Sequence, residues 1–230
     1  MKRFIQGDCV EVIKTLEEDS IDFIYSNPPY GITHNVWDTP LDWKELWKDI
    51  WRVLKPTGVA LFHSSMPFTY NLVNTQQPKY HYIWVKNNST GFLTAKKQPL
   101  RITEEVLVFY RKTPITYNPQ MIGDKIYKTR SAGKRSQDYW GTNISDSHKP
   151  KKVVERKGKY PTNLLEYPLQ LGGGWGTISS DMIEFFIKTY TNEGDTYLDL
   201  TCHNTFVGNI ATKLNRNYIG IDINPIINVE

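Results

Sequence analysis

Four consecutive residues, Asn27, Pro28, Pro29 and Tyr30, follow directly on the apolar run Ile21 to Ser26 and are of types that could work on an amino group. Each proline fixes its own φ and restricts the residue before it, so Asn27 and Tyr30 are expected to be presented rigidly at the end of a strand. An amino nitrogen on a heteroaromatic ring is a poor nucleophile, because its lone pair is delocalised into the ring. Two acceptors aimed at its hydrogens, the Asn27 side-chain oxygen and the Pro28 carbonyl, would favour a pyramidal nitrogen whose lone pair points at an electrophile. Tyr30 would offer a face for a flat base taken out of a stack. No general base is required, since the proton becomes acidic once the nitrogen is alkylated. Without their flanks, the same four residues could also be a plain turn closing a buried strand.

The elements that must position this corner alternate. Arg3 to Gln6 is expected to be a strand, Val10 to Leu16 a helix, Ile21 to Ser26 a strand, Trp43 to Leu54 a helix and Val59 to His63 a strand, with Lys55-Pro56-Thr57-Gly58 as the turn that ends the second helix. Such a βαβαβ rhythm calls for a parallel sheet covered by helices on both faces. A helix from Pro67 to Asn74 and strands at Tyr80 to Lys86 and Glu104 to Arg111 complete this half. Between Thr113 and Gly176 periodicity is lost and prolines recur, so the stretch reads as an insertion, not as core. A helix from Ser179 or Ser180 to Thr189, a strand at Tyr197 to Leu200, a helix near Val207 to Leu214 and a strand at Tyr218 to Asp222 then close the chain. A carboxylate at the end of such a final strand is where a nucleotide-like cofactor places its ribose hydroxyls. The expected divisions are 1–112, 113–176 and 177–230.

The net charge of +4 would suit many enzymes, but its distribution is informative. The insertion carries Lys125, Lys128, Arg130, Lys134, Arg135, Lys149, Lys151, Lys152, Arg156 and Lys157 among few acids, interleaved with Tyr117, Tyr127, Tyr139, Trp140 and Tyr160. That composition suits phosphates neutralised beside stacked rings, and suits a solvated loop equally. The two cysteines, Cys9 and Cys202, lack metal-ligand spacing and are expected as reduced thiols. Met1-Lys2-Arg3 runs into too few apolar residues for a leader, and no apolar run approaches the roughly 20 residues that span a bilayer. A cytoplasmic protein without a membrane partner is the expectation.

The corner's flanks carry a resemblance. Phe4-Ile5-Gln6-Gly7-Asp8-Cys9, the strand into Asn27-Pro28-Pro29-Tyr30, Asn35-Val36-Trp37-Asp38 and Arg52-Val53-Leu54-Lys55-Pro56 together resemble the amino-methyltransferases of the β order, in which the catalytic half precedes the cofactor half. Thr90 to Lys97, Leu107 to Arg111 and Tyr117-Asn118-Pro119-Gln120 are similar to phage and prophage members of the N6-adenine-specific DNA branch. The resemblance implies an α/β, Rossmann-like, doubly wound and mostly parallel sheet, circularly permuted, with the irregular insertion as target-recognition segment. It separates the chain from the unpermuted N-P-P-Y enzymes that methylate glutamine in proteins.

Carried over residue by residue, the resemblance makes Asn27, Pro28, Pro29 and Tyr30 the flipped-base site. It places S-adenosylmethionine against Asp8 and Cys9, Asp199, Thr201 and His203, and Asp222 and Asn224. The implied substrate is duplex DNA, with pairing of two copies left open. Adenine is preferred over cytosine N4 because cytosine enzymes of this type more often carry serine where Asn27 stands. The family's cofactor loop, D-x-F-x-G-x-G-T-T, maps onto Asp199 to Val207, but His203 and Thr205 replace its glycines and Thr201 its phenylalanine. Those replacements motivate the rival reading, a DNA-binding protein on this scaffold that has lost catalysis. An RNA target is a third reading. Weaker signals are read structurally: Gly172-Gly173-Gly174 and Gly133-Lys134 as loops, the histidines as non-ligands, and Trp43, Trp47 and Trp51 as the core face of a helix.

Overall fold

A computed structural model describes residues 1–113, 115–130, 153–169 and 178–229. Gly133-Lys134, Arg135, Tyr139, Trp140, His148, Lys149, Lys151, Lys152 and the Gly172-Gly173-Gly174 run lie outside the described residues. In chain order the strands are β1 (Lys2–Gln6), β2 (Ile21–Ser26), β3 (Leu54–Ser64), β4 (Tyr80–Thr90), β5 (Arg101–Phe109), β6 (Ile122–Arg130), β7 (Val153–Lys159), β8 (Leu164–Glu166), β9 (Thr196–Asp199) and β10 (Asn217–Asp222). The helices are α1 (Cys9–Val12), α2 (Trp43–Val53), α3 (Phe68–Thr75), α4 (Ser180–Tyr190) and α5 (Phe206–Lys213).

Eight strands form one sheet in the order β1-β10-β9-β2-β3-β5-β4-β8. Neighbours pair parallel except β5, which runs antiparallel to both β3 and β4. Strands covered on both faces must alternate between two apolar sides, and they do. Ile24, Leu198, Ile219 and Ile221 join α1, α2 and α3 in one core, whereas Phe23, Tyr25, Tyr197 and Tyr218 join α4 and α5 in the other. Trp43 and Trp47 lie in the first core with Trp51 packed at its margin, the face that their spacing of four residues implies.

Two expectations fail for physical reasons. Lys55 to Gly58 is not a turn outside the sheet: β3 begins at Leu54, and its register against β2 jumps from Ile21↔Leu54 to Phe23↔Val59. The extra residues bulge, and Lys55 Nζ is held there by both oxygens of Asp22 at 2.8 Å. A side chain at Gly58 would stand 2.9 Å from the Asp22 carbonyl, so the bulge requires a glycine. The stretch 113–176 is also not wholly outside the core. Leu164–Glu166 pairs parallel with β4 as the sheet's edge strand and buries Leu165. By compactness the chain divides into one unit of residues 1–118 and 162–230 and a second of residues 119–161. The second contains the β6–β7 hairpin, in which Arg156 lies over the rings of Tyr127 and Tyr160 at 5.4 and 4.4 Å.

The first unit explains where a site must lie. From β9 the chain crosses through α5 to β10 on one side, and from β2 it crosses through α2 to β3 on the other side, with the two helices on opposite faces. The strand order therefore reverses between β9 and β2, and diverging connections leave a crevice at the carboxyl ends of those two strands.

Candidate active site

Asn27 is the first residue beyond β2 and is exposed at that crevice, while Pro28 behind it is buried. The Tyr30 hydroxyl donates to Asn27 Oδ1 at 3.0 Å, which leaves the amide oxygen a second lone pair. One face of the Tyr30 ring is stacked on Phe68, with centroids 5.0 Å apart and planes at 15°. Burial, then the nearby Glu104 carboxylate, hold the Tyr30 hydroxyl well above its ordinary range, so it stays a neutral donor. Gly31 follows with φ +66°, and a Cβ there would lie 2.3 Å from Pro40 Cγ.

The loop after Tyr30 is closed by Asp38. Its carboxylate accepts from the backbone N–H groups of Gly31 (2.7 Å), Ile32 (2.9 Å) and Thr33 (2.7 Å). Burial would raise this carboxyl, but hydrogen bonds from Thr33 and the three amides outweigh it and hold it below the usual carboxylate range. Asp38 thus fixes the chain that leaves the corner, a role that its place in the Asn35 to Asp38 motif did not reveal.

The residues expected on the cofactor side come together at the same edge. Gln6 of β1 pairs with Asp222 of β10, and Gly220 of β10 with Asp199 of β9, so Asp8, Asp222 and Asp199 lie on or just beyond three adjacent strand ends, next to Asn27 on the fourth. Asp8 caps α1 through Val10 N–H at 2.9 Å. Asp222 accepts from the backbone N–H of His203 at 2.8 Å and of Asn224 at 2.9 Å, so both contribute through backbone to its orientation. The Cys9 side chain is buried in the α1–α2 core, and burial, then Asp8, push its thiol up to about 12. Only its backbone remains for a ligand.

Asp199 is also buried, accepting from Thr201 N–H at 3.2 Å and from the Tyr218 hydroxyl at 3.3 Å. Burial pushes its carboxyl up to about 7 against these bonds, with Asp222 adding to the rise. Thr201 does more than its place in the cofactor loop suggests. Its hydroxyl donates to the backbone oxygen of Asn27 at 3.2 Å, and Leu200 N–H donates to Ser26 Oγ at 2.8 Å. These bonds stitch β2 to β9 where their ladder stops, and Ser26 carried no signal for this in the sequence.

The two glycine replacements are accommodated differently. His203 takes the left-handed φ of +55° that a glycine would adopt, with its ring exposed. Thr205 has an ordinary φ of −84°, and its hydroxyl exchanges hydrogen bonds with the backbone of Val229. Among the described residues no group of three or more His, Cys, Asp and Glu side chains could hold a metal ion, and no helix is long and apolar enough to cross a membrane.

Known proteins share the fold and the family of this chain. The chain is 25% identical over 240 residues to the type II methyltransferase M.BamHI of Bacillus amyloliquefaciens, covering 96% of this chain and 54% of that one, so it spans about half the relative's length. The solved M1.HpyAVI–SAM complex matches with a TM-score of 0.60 at 19% identity, covering 98% of this chain and 94% of that one. The cytosine-N4-specific PvuII DNA methyltransferase matches with a TM-score of 0.64 at 15% identity, covering 97% of this chain and 82% of that one. Likenesses this distant speak for the α/β fold with its mostly parallel sheet. A sequence profile described as DNA methylase, however, matches residues 21–228, from the start of β2 to beyond β10, and the chain therefore belongs to the DNA methylase family.

Proposed function

We propose that this chain transfers a methyl group from S-adenosylmethionine to the N6 of an adenine flipped out of duplex DNA. The observation that carries the reading is the placement of Asn27 at the carboxyl end of β2, beside the β9 loop and at the point where strand order reverses. Asn27 Oδ1 and the Pro28 carbonyl accept the two amino hydrogens and hold the nitrogen pyramidal, and Tyr30 positions the ring. The Tyr30 hydroxyl, neutral and bonded to Asn27 Oδ1, orients that amide.

S-adenosylmethionine, when bound, supplies an electrophilic sulfonium methyl. Asp8 and Asp222 fit its adenosine part, since each carboxylate uses only some of its acceptor sites within the chain. The left-handed turn at His203 preserves the backbone path on which a glycine normally stands. The order of the chain, with β2 before β9 and β10, agrees with a permuted arrangement of the β type. The insertion of residues 113–176, with residues 119–161 as its compact part, is the segment proposed for target recognition, with the cations of β6 and β7 on phosphates. Adenine is favoured by Asn27 standing where N4-cytosine enzymes more often carry serine.

The deciding experiment incubates the protein with labelled S-adenosylmethionine and mixed-sequence duplex DNA, or matched RNA, and identifies the modified nucleoside by mass spectrometry. N6-methyladenine in DNA is the expected product. N4-methylcytosine would change the base, methylated RNA would change the polymer, and no product together with no calorimetric binding of the cofactor would favour a scaffold that only binds DNA.

A further inference from the structure

Beside Tyr30 a cleft opens to solvent, lined by Tyr30, Ile32, Ser65, Lys86, Thr90, Arg101 and Glu104. Its unusual member is Lys86, whose side chain is 2% exposed. An ammonium is costly to bury, and a buried ion pair seldom contributes enough stability to explain its presence. Lys86 Nζ donates to Glu104 Oε1 at 2.7 Å, lies 3.5 Å from Thr90 Oγ1 and stands 6.0 Å from the centroid of the Trp84 ring, so its three N–H groups meet only two hydrogen-bond acceptors among the described residues. His63 nearby adds no second positive charge: burial, then Lys86, hold its imidazole down to about 3, and its Nε2 is hydrogen-bonded to the Tyr25 hydroxyl at 2.6 Å. The pair therefore presents one oriented, charged donor at the wall of a cleft that Tyr30 also lines.

The chemistry of a bound base says what that donor would meet. Once both amino hydrogens are given to Asn27 Oδ1 and the Pro28 carbonyl, the rest of the base offers only acceptors, N1, N3 and N7 in adenine or N3 and O2 in cytosine. Guanine and thymine instead carry an N–H on the ring at the corresponding edge, which an ammonium repels. We propose that Lys86, oriented by Glu104, donates a hydrogen bond to the ring nitrogen beside the target amine, and so admits adenine or cytosine while rejecting guanine and thymine. This rests on the functional reading above and adds to it a residue that selects the base. An in-plane donor at that nitrogen adds nothing to the amine's nucleophilicity, so its effect lies in binding and orientation.

The test uses the duplex sequence found to be methylated, with the target replaced by 1-deazaadenine, or by 3-deazacytosine for a cytosine target, which exchanges the ring nitrogen for C–H and keeps the amine. The wild type is expected to lose about 10–100-fold in kcat/KM on this substrate, the size of one hydrogen bond to a charged group. Lys86→Met is expected to show a similar loss on the natural duplex and little further loss on the deaza duplex, since the two changes remove the same contact. A wild type indifferent to the deaza base overturns the proposal without need of any variant. So does a Lys86→Met enzyme that keeps the full deaza penalty, which would leave the ion pair a structural role only. If no DNA sequence is methylated in the mixed-sequence experiment, the parent reading is overturned instead, and this one with it.

Discussion

The corner after β2 and the loop after β9 lie side by side at one edge of the sheet, yet they are held by opposite means. The ties that shape the corner's backbone are mostly local: two prolines, a left-handed Gly31, and Asp38 reaching back seven residues at most, with the Tyr30–Phe68 stack and the bond from Thr201 to Asn27 added from afar. The loop is tied from afar, by Asp222 19 residues on, by Val229 24 residues on, and by Asn27 174 residues away. Their carboxylates differ in the same way. Asp38 is gathered into three amides and lies below the usual range, whereas Asp199 is buried with fewer bonds, near Asp222, and is pushed up to about 7. A motif that carries its own constraints stays recognisable when its neighbours drift. A loop held by distant partners can change its residues, as at Thr201, His203 and Thr205, provided those partners change with it.

The contrast can be broken most directly at Asn27. Asn27→Ala should lower turnover about 10²–10³-fold while calorimetric binding of S-adenosylmethionine is kept, because only the acceptor at the developing charge is removed. Unchanged turnover would take the corner out of the chemistry.

Asp199 tests the loop side through pH. Because its folded value of about 7 lies above the ordinary carboxylate value of 3.8, the native state binds this proton more tightly than the unfolded chain does. The stabilisation is therefore full below about pH 4 and is lost as the pH rises through 7. Asp199→Asn lacks that loss, so urea midpoints should show it gaining on the wild type between those limits, by on the order of 4 kcal/mol, and holding constant above. A difference independent of pH would mean that the carboxyl is not held protonated.

Asp38→Ala should show the opposite sign. It leaves three backbone amides without their acceptor and costs about 2 kcal/mol at neutral pH by denaturant titration. The wild-type advantage should fade as acid protonates the carboxylate, since a lowered value stabilises the fold only above the carboxylate range. The smallest effect is expected at His203, where His203→Gly relieves a left-handed backbone and should gain less than about 1 kcal/mol in thermal unfolding. A loss there would show that the imidazole itself holds the loop.

Much of the arrangement is legible in the amino-acid sequence. The alternation of strand and helix patterns implied a parallel sheet covered on both faces, and the helix carrying Trp43, Leu46, Trp47 and Ile50 shows its apolar stripe in its spacing. The start of β3 is hidden in the sequence because Lys55-Pro56-Thr57-Gly58 has the composition of a turn, and only Asp22 on the neighbouring strand turns it into a bulge. The edge strand β8 is not legible in the sequence because three residues carry too little periodicity to register, and Leu165 is buried by what β4 brings to it.

Taken alone, the amino-acid order determined what depends on neighbours along the chain: the rigid Asn27 to Tyr30 corner, the apolar faces of the elements and the family likeness. Tertiary structure decided whatever needs residues far apart in sequence to meet. It set the crevice between β9 and β2, turned the Cys9 side chain into the core, joined Thr201 to Asn27, and buried Lys86 against Glu104 beside Tyr30. The physical reason is reach. A φ restriction or a cap acts over a few residues and is written where it acts, whereas a buried charge or a strand-end hydrogen bond exists only after the sheet has brought both partners to one place.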